Sequence, residues 1–394
     1  MSAVEIVPGI NWVGTLDPDL RHFDVIMQAE HGTTYNSYLV VGDDKVALID
    51  TSKGRYAEGY LERLREIIDP AKIDYIVMNH MEPDHSGALA DVMKAAPNAM
   101  PVMTRAGYMF AKNIVNFEFD AMIIKGDETV DLGGRTLRFI VAPYLHWPDT
   151  MFTYCEEDGV LFTCDFLGAH YCDERIFSDL LDNYDYAFHY YFQVIMRPFK
   201  EYVRNGLAKI DALEGVKFIC PSHGPVMRSN LDSFLDRYRT WSAEPAPHDK
   251  KRLLVFYASA YGNTRKMAQA ISEGAKEAGA DVSLLDLEGV EIPLMLDEIE
   301  GADGLAVGSC TINGDALEHT WALLSSLATV KLKKKLGAAF GSYGWSGEGP
   351  KMLAERMKGL KFRVPEEPLR VKVVPTEEDL AECHEYGRKL AEAL

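Results

Sequence analysis

Between Ser242 and Arg252 the chain loses all hydrophobic periodicity, and this break governs how the rest can fold. Pro245, Pro247 and the cluster Asp249-Lys-Lys-Arg252 support neither a helical stripe nor a strand alternation, and an apolar strand begins at Leu253. The sequence therefore reads as two domains, 1–249 and 250–394, a division that suits a length of 394 residues. With 47% hydrophobic and 26% charged residues it can build two cores, which excludes a disordered or disulfide-framework chain.

Past the break, strand patterns at 253–258, 280–287, 304–310, 336–341 and 369–374 alternate with helical patterns at 263–278, 320–329, 350–360 and 376–394. That rhythm predicts a doubly wound parallel sheet with helices on both faces and ligands at the carboxyl ends of its strands. Before the break the texture is hairpin-like. Residues 129–143 turn at Gly133-Gly134 and 151–165 at Asp158-Gly159, a pair that favours a type I′ turn. Helical pieces at 57–68, 86–96 and 106–115 intervene, so this half reads as mixed α/β, two sheets covered by helices.

A net charge of −19 argues against nucleic-acid binding, which needs clustered Lys and Arg. None of the six cysteines is spaced as CxxC, so no zinc ribbon or rubredoxin-type centre is expected, and Cys155, Cys164, Cys172, Cys220, Cys310 and Cys383 read as buried thiols of a cytoplasmic protein. Residues 1–8 hold Glu5 and no apolar run of signal-peptide length, and the most apolar stretches are strand-sized, so no membrane span is expected.

The first concentration of chemistry is His80-Met-Glu82-Pro-Asp84-His85, four potential metal ligands within six residues after a strand at 73–78. Pro83 is expected to keep the run non-helical so that the side chains converge, and Ser86 to cap the helix that follows. His146, Asp165 and His223 also fall just past strand patterns. Seven such side chains can supply two metals with three ligands each and one carboxylate shared.

The second concentration is three loops at strand ends beyond the break. Ser259-Ala260-Tyr261-Gly262-Asn263-Thr264 opens a helix and offers backbone N–H groups to a phosphate. Neither GxxxxGK(S/T) nor GxGxxG occurs, which excludes an NTPase loop and a dinucleotide fingerprint. Ser309-Cys310-Thr311-Ile312-Asn313 and Ser342-Tyr343-Gly344-Trp345-Ser346-Gly347 follow the third and fourth strands, the latter with aromatic faces suited to a planar ring.

The HxExDH run followed by His, Asp and His resembles the metallo-β-lactamase fold, and more specifically the flavodiiron proteins, or A-type flavoproteins. Zinc hydrolases of this fold carry HxHxDH; Glu82 in place of the second His makes a harder site, better matched to iron. The three later loops resemble the flavodoxin phosphate loop and its ring-clasping loops. Together the resemblance covers essentially the whole chain and implies an αββα metallo-β-lactamase-like sandwich followed by a flavodoxin-like domain. It implies FMN and two irons, with His80, Glu82 and His146 on one iron, Asp84, His85 and His223 on the other, and Asp165 bridging. Asp50 matches the fold's second-strand motif and reads either as support for a ligand or as a turn cap.

The resemblance further implies reduction of O₂ to water, of NO to N₂O, or both, with rubredoxin or a similar small carrier as electron donor and a head-to-tail homodimer or dimer of dimers as the assembly. Preference between the gases is expected to rest on pocket residues such as His22, Trp147 and His170. Two rival readings remain: a dinuclear zinc hydrolase fused to a flavodoxin-like module, and an electron-transfer flavoprotein whose first domain only docks. Residues 250–394 carry 19 Lys and Arg against 22 Asp and Glu, which leaves −16 on residues 1–249. An acidic carrier is therefore expected at the second domain, with Lys331, Lys333, Lys334 and Lys335 as docking candidates.

Overall fold

In the computed structural model the described residues are 2–24, 27–182, 184–332 and 334–394. They form two compact units, Met1–Ala243 and Glu244–Leu394.

The first unit is built on two sheets. One runs in the order Val4–Val7, Ile10–Trp12, Tyr38–Val41, Val46–Ile49, Tyr75–Val77, Met100–Thr104, Met122–Ile124, antiparallel as far as Val46–Ile49 and parallel after it. The other runs Thr129–Asp131, Thr136–Val141, Met151–Cys155, Val160–Cys164, Phe218–Pro221, the last pair parallel. Successive strand residues point to opposite faces, and the burial follows that period. Tyr38, Val40, Ala47 and Ile49 meet Leu137, Phe139, Val160 and Phe162 between the sheets. Leu39, Val46 and Leu48 turn outward onto helices Ala57–Ile67, Leu89–Ala95 and Arg105–Val115. Outside the second sheet, Phe152, Tyr154 and Leu161 pack against Phe188, Leu207 and Tyr238 of helices Tyr184–Tyr191, Lys200–Asp211 and Leu231–Ser242. The layers are αββα.

Both predicted hairpins form. Gly133 and Gly134 have φ of +81° and +69°, as a type I′ pair requires. At the second turn only Gly159 has positive φ, so Glu156–Gly159 make a four-residue loop rather than the expected type I′ pair.

The second unit is one parallel sheet in the order Asp281–Asp286, Arg252–Ala258, Gly304–Ser309, Leu336–Tyr343, Leu369–Lys372. Leu253, Val255 and Tyr257 face helices Asn263–Glu277 and Glu377–Ala393, while Leu254 and Phe256 face the other layer. That other layer contains a helix absent from the sequence reading, Ile292–Gly301, whose Pro293 lies in its first turn where a missing N–H costs nothing. Strand order reverses beside Arg252–Ala258, which opens a crevice at its carboxyl end. Cys155, Cys164, Cys220 and Cys383 are buried, whereas Cys172 and Cys310 are only half-buried, contrary to the expectation for all six.

Candidate functional site

The loop after Tyr75–Val77 is held from two sides. Asp50, with φ +53°, accepts the Asn79 backbone N–H at 2.7 Å and its side-chain amide at 3.2 Å. It thus supports the residue next to His80 instead of capping its own turn. Burial raises the Asp50 pKa to about 6, against the pull of His85 and the Asn79 bonds. Pro83 does not keep the run non-helical. It starts a one-turn helix, Pro83–Ser86, whose first position needs no N–H donor, and Asp84 and His85 leave that turn buried. Ser86 does not cap the next helix either: its hydroxyl donates to Met81 O at 2.9 Å and Glu82 O at 3.0 Å, and that helix begins only at Leu89. Gly87 lies so close to Gly54 that a Cβ would stand 2.4 Å from the Gly54 nitrogen.

Asp165 directly follows Val160–Cys164, flanked by left-handed Cys164 (φ +52°) and Leu167 (φ +67°), strain of a kind concentrated at functional sites. His223 lies just past the parallel neighbour strand, and His146 in the loop before Met151–Cys155. All seven predicted residues meet. His80, Glu82, His146 and Asp165 bring one ligand atom each within 4.8 Å of the others, and so do Asp84, His85 and His223.

Asp165 connects the two groups through different oxygens. Its Oδ2 is 3.5 Å from His80 Nε2 and 3.6 Å from His146 Nε2; its Oδ1 is 3.2 Å from His85 Nε2 and 3.4 Å from His223 Nε2. Glu82 Oε2 is 3.0 Å from His146 Nε2, and Asp84 Oδ2 is 3.0 Å from His223 Nε2. A metal about 2.1 Å from its ligands separates neighbouring donors by about 3.0 Å at right angles and about 3.4 Å at the tetrahedral angle. These contacts are not all hydrogen bonds: both oxygens of Asp84, both ring nitrogens of His85 and Asp165 Oδ2 are buried without a hydrogen-bond partner. Buried polar atoms are normally paired, so lone pairs crowded at these spacings fit two cations.

Electrostatics point the same way. Burial disfavours charge on His80, but hydrogen bonds to Asp149 and Glu82 outweigh it and hold its pKa well above the usual range. Burial likewise lowers the His85 pKa, and the Asp84 and Asp165 charges outweigh it, giving about 9. Asp165 is driven well below the carboxylate range despite burial, chiefly by His85.

In the second unit the loops enclose a cavity of about 310 Å³. Of the predicted flavin-loop residues, Ala260, Tyr261, Asn263, Thr311, Ile312, Ser342, Tyr343, Gly344 and Trp345 line it, joined by Cys310 and Val373. Ser342 and Tyr343 belong to the strand itself. Tyr261 and Trp345 are 92% and 84% exposed, large aromatic faces with no covering neighbour at a cavity mouth. Ser259, Gly262, Thr264, Ser309, Asn313 and Gly347 do not line the cavity. Gly262, at φ +77°, makes the turn into Asn263–Glu277, and the Thr264 and Ser342 hydroxyls bond at 3.0 Å. Ser309 accepts the Leu317 N–H at 2.8 Å, shaping its loop from within.

Comparison with known proteins gives the same two parts. Residues 33–224 match the ODP family of β-lactamases, and 255–387 match flavodoxin. The type A flavoprotein fprA of Rhodobacter capsulatus is 45% identical over 398 residues, covering 99% of this chain and 91% of that protein. The chain belongs to the flavodiiron family, the type A flavoproteins. A nitric oxide reductase of Moorella thermoacetica is 38% identical, covering 98% of each chain. The solved structure of rubredoxin oxygen:oxidoreductase from Desulfovibrio gigas matches with a TM-score of 0.74 and 32% identity, covering 100% of this chain and 98% of that one. The fold is accordingly a metallo-β-lactamase-like domain followed by a flavodoxin-like domain.

Within this flavodiiron chain the sequence reading passed over the groups that hold the candidate ligands. Asp149 accepts from His80 Nδ1 at 3.2 Å and from the Met81 N–H at 2.7 Å. The carbonyl of Thr34 lies 2.6 Å from His223 Nδ1, and the Tyr191 hydroxyl donates to Asp165 Oδ1 at 3.0 Å. Asp149, an acid three residues past His146, carried some local signal; Tyr191, on a helix that ends in a π-helical turn at Phe192–Met196, carried none. Of the three candidates for gas preference, Trp147 stands edge-on to His80 at 5.2 Å and His170 stacks on Phe23 at 4.2 Å, while His22 is exposed. Among the docking lysines, Lys335 is tied down: its ammonium donates to the carbonyls of Glu300 and Ala302. Lys331 and Lys334 are exposed, and Lys333 lies outside the described residues.

Proposed function

We propose that this flavodiiron oxidoreductase reduces O₂ to water, NO to N₂O, or both, taking electrons from rubredoxin or a similar small carrier. The observation that carries this reading is Asp165, whose two carboxylate oxygens face two separate ligand groups. His80, Glu82 and His146 would hold one iron, Asp84, His85 and His223 the other, and Asp165 would bridge them. The flavodoxin domain would hold FMN, with the Tyr261 and Trp345 faces against its ring and the turn before Asn263 at its phosphate. When bound, FMN stores and passes on electrons and the irons bind the diatomic molecule and reduce it. The chain's own residues hold that geometry. Asp149 fixes the ring of His80, the Thr34 carbonyl that of His223, and Tyr191 the Asp165 carboxylate.

Glu82 and the family relationship disfavour the zinc hydrolase, and a built ligand cluster disfavours a purely docking first domain. A head-to-tail homodimer is the proposed assembly, so that the flavin of one chain serves the irons of the other. Among the described residues no helix is long and apolar enough to cross a membrane, in keeping with a proposed cytoplasmic location. Anaerobic turnover of iron- and flavin-loaded protein with each gas and reduced rubredoxin is the direct test. Activity with one or both gases is expected. Inactivity with both, or zinc as the dominant metal in protein made under iron-replete conditions, would overturn the assignment.

A further inference from the structure

Behind the metal ligands lies a small cavity with about 30 Å³ of room, walled by Gln28, Glu30, His31, His170, Ala187 and Tyr191 among others. One water needs at least about 10–15 Å³ of such room, so about two fit. The wall grades from wet to dry: Gln28, Glu30 and His31 are exposed, whereas His170 and Tyr191 are 4% and 1% exposed. His170 is bonded through Nδ1 to the Thr33 hydroxyl at 3.0 Å, while its Nε2 is buried with no partner. Buried polar atoms of this kind are normally satisfied by ordered water when the protein offers nothing. Tyr191, edge-on to the His170 ring at 5.0 Å, donates its hydroxyl to Asp165 Oδ1, so the inner wall is one hydroxyl away from the carboxylate between the two ligand groups. Burial and the neighbouring His223 hold the His170 pKa well below the imidazole range.

We propose that this cavity holds exchangeable water between His170 and Tyr191, and that protons reach the Asp165 side of the metal centre from solvent along it. The inference rests on the reductase reading. Reduction of O₂ to two waters consumes four electrons and four protons, and reduction of two NO to N₂O and one water consumes two of each. The protons come from solvent: His146 and Glu82 are partly open to it on one side of the site, whereas the Asp165 side is buried and is approached through the cavity. Each proton that joins the cavity water from solvent is matched by one passed inward along the hydrogen bonds, and no wall residue changes its net charge.

The test uses the full chain loaded with iron and flavin. Ala187→Leu, on helix Tyr184–Tyr191, fills the cavity without touching a ligand. A crystal structure of the native protein should show ordered water within hydrogen-bond distance of His170 Nε2, and the variant should lack it. The variant should keep its iron, its flavin and its rate of flavin reduction, while turnover falls about tenfold or more and the solvent-deuterium isotope effect grows. A filled cavity with unchanged turnover and isotope effect would overturn the proposal, as would a dry native cavity that takes up xenon under pressure. Should Ala187→Leu not fold, Ala187→Val makes the same test with a smaller plug. Native protein inactive toward both gases would instead sink the reductase reading, whatever water the crystal shows.

Discussion

Replacing Asp149 by Ala should weaken one metal of the pair and spare the other. The Asp149 carboxylate accepts from the His80 ring at 3.2 Å and from the Met81 N–H at 2.7 Å, and it is 1% exposed. Its backbone carbonyl takes the Thr104 hydroxyl and survives the change. The lost side chain therefore acts on His80 and the start of its loop. Outer partners of ligating histidines typically contribute about 10–100-fold in metal affinity, which is about 1.4–2.8 kcal/mol at about 1.4 kcal/mol per tenfold. The Met81 donor, left buried and unpaired, costs about 1–3 kcal/mol of folding stability in addition. Asp149→Asn keeps an acceptor for one of the two donors and should fall between. The assay is anaerobic ferrous-iron titration against a competing chelator. Native protein should load two irons of similar affinity, and Asp149→Ala should show one unchanged step and one weakened about 10–100-fold. Equal weakening of both steps, or of neither, would refute the reasoning, because Asp149 touches only the His80 side.

Asp165→Ala should abolish binding of both irons by metal analysis, and retention of one would exclude a shared carboxylate. The His85 pKa is raised from its ordinary 6.5 to about 9, so the metal-free fold holds a proton that the unfolded chain releases; that stabilisation is complete below pH 6.5 and is lost as pH rises through about 9. Thermal melts of metal-free protein should decline across that window, iron-loaded protein should not follow, and loading should release protons into weakly buffered solution. Reversing Lys331 and Lys334 to Glu should slow reduction by an acidic carrier at low salt, with the difference gone at 1 M, where the screening length is about 3 Å; an unchanged low-salt rate rejects the patch. Co-expressing a chain lacking iron ligands (His80→Ala with Glu82→Ala) and one lacking the aromatic faces proposed for the flavin (Tyr261→Ala with Trp345→Ala) should restore activity in mixed dimers, and inactive mixed dimers would place transfer within one chain.

The candidate cluster was legible in the sequence because a strand end is a local feature. A short, nearly continuous apolar run followed by acids and imidazoles marks where the backbone leaves a sheet, and His80, Asp165 and His223 all sit just past such runs. The loops around the cavity of the second unit were legible for the same reason. Local rules failed where two outcomes shared one signal: Pro83 breaks a helix in its interior but starts one at the first position, and neighbouring residues alone do not say which applies. Ile292–Gly301 was lost to the same ambiguity around Pro293.

Only the tertiary structure decided what stands behind the candidate ligands. Asp149 reaches His80 across 69 residues, the Thr34 carbonyl reaches His223 across 189, and Tyr191 reaches Asp165 across 26. These contacts exist because two sheets stack and bring loops from distant strands to one rim, a juxtaposition that no window of sequence contains. Lys335 makes the same point in reverse: a member of a charged run on paper, it is committed in the fold to the carbonyls that end a helix. Chemistry at strand ends is written locally. The second partner of each buried polar group depends on which surfaces the hydrophobic faces press together, and that is settled only when the layers close.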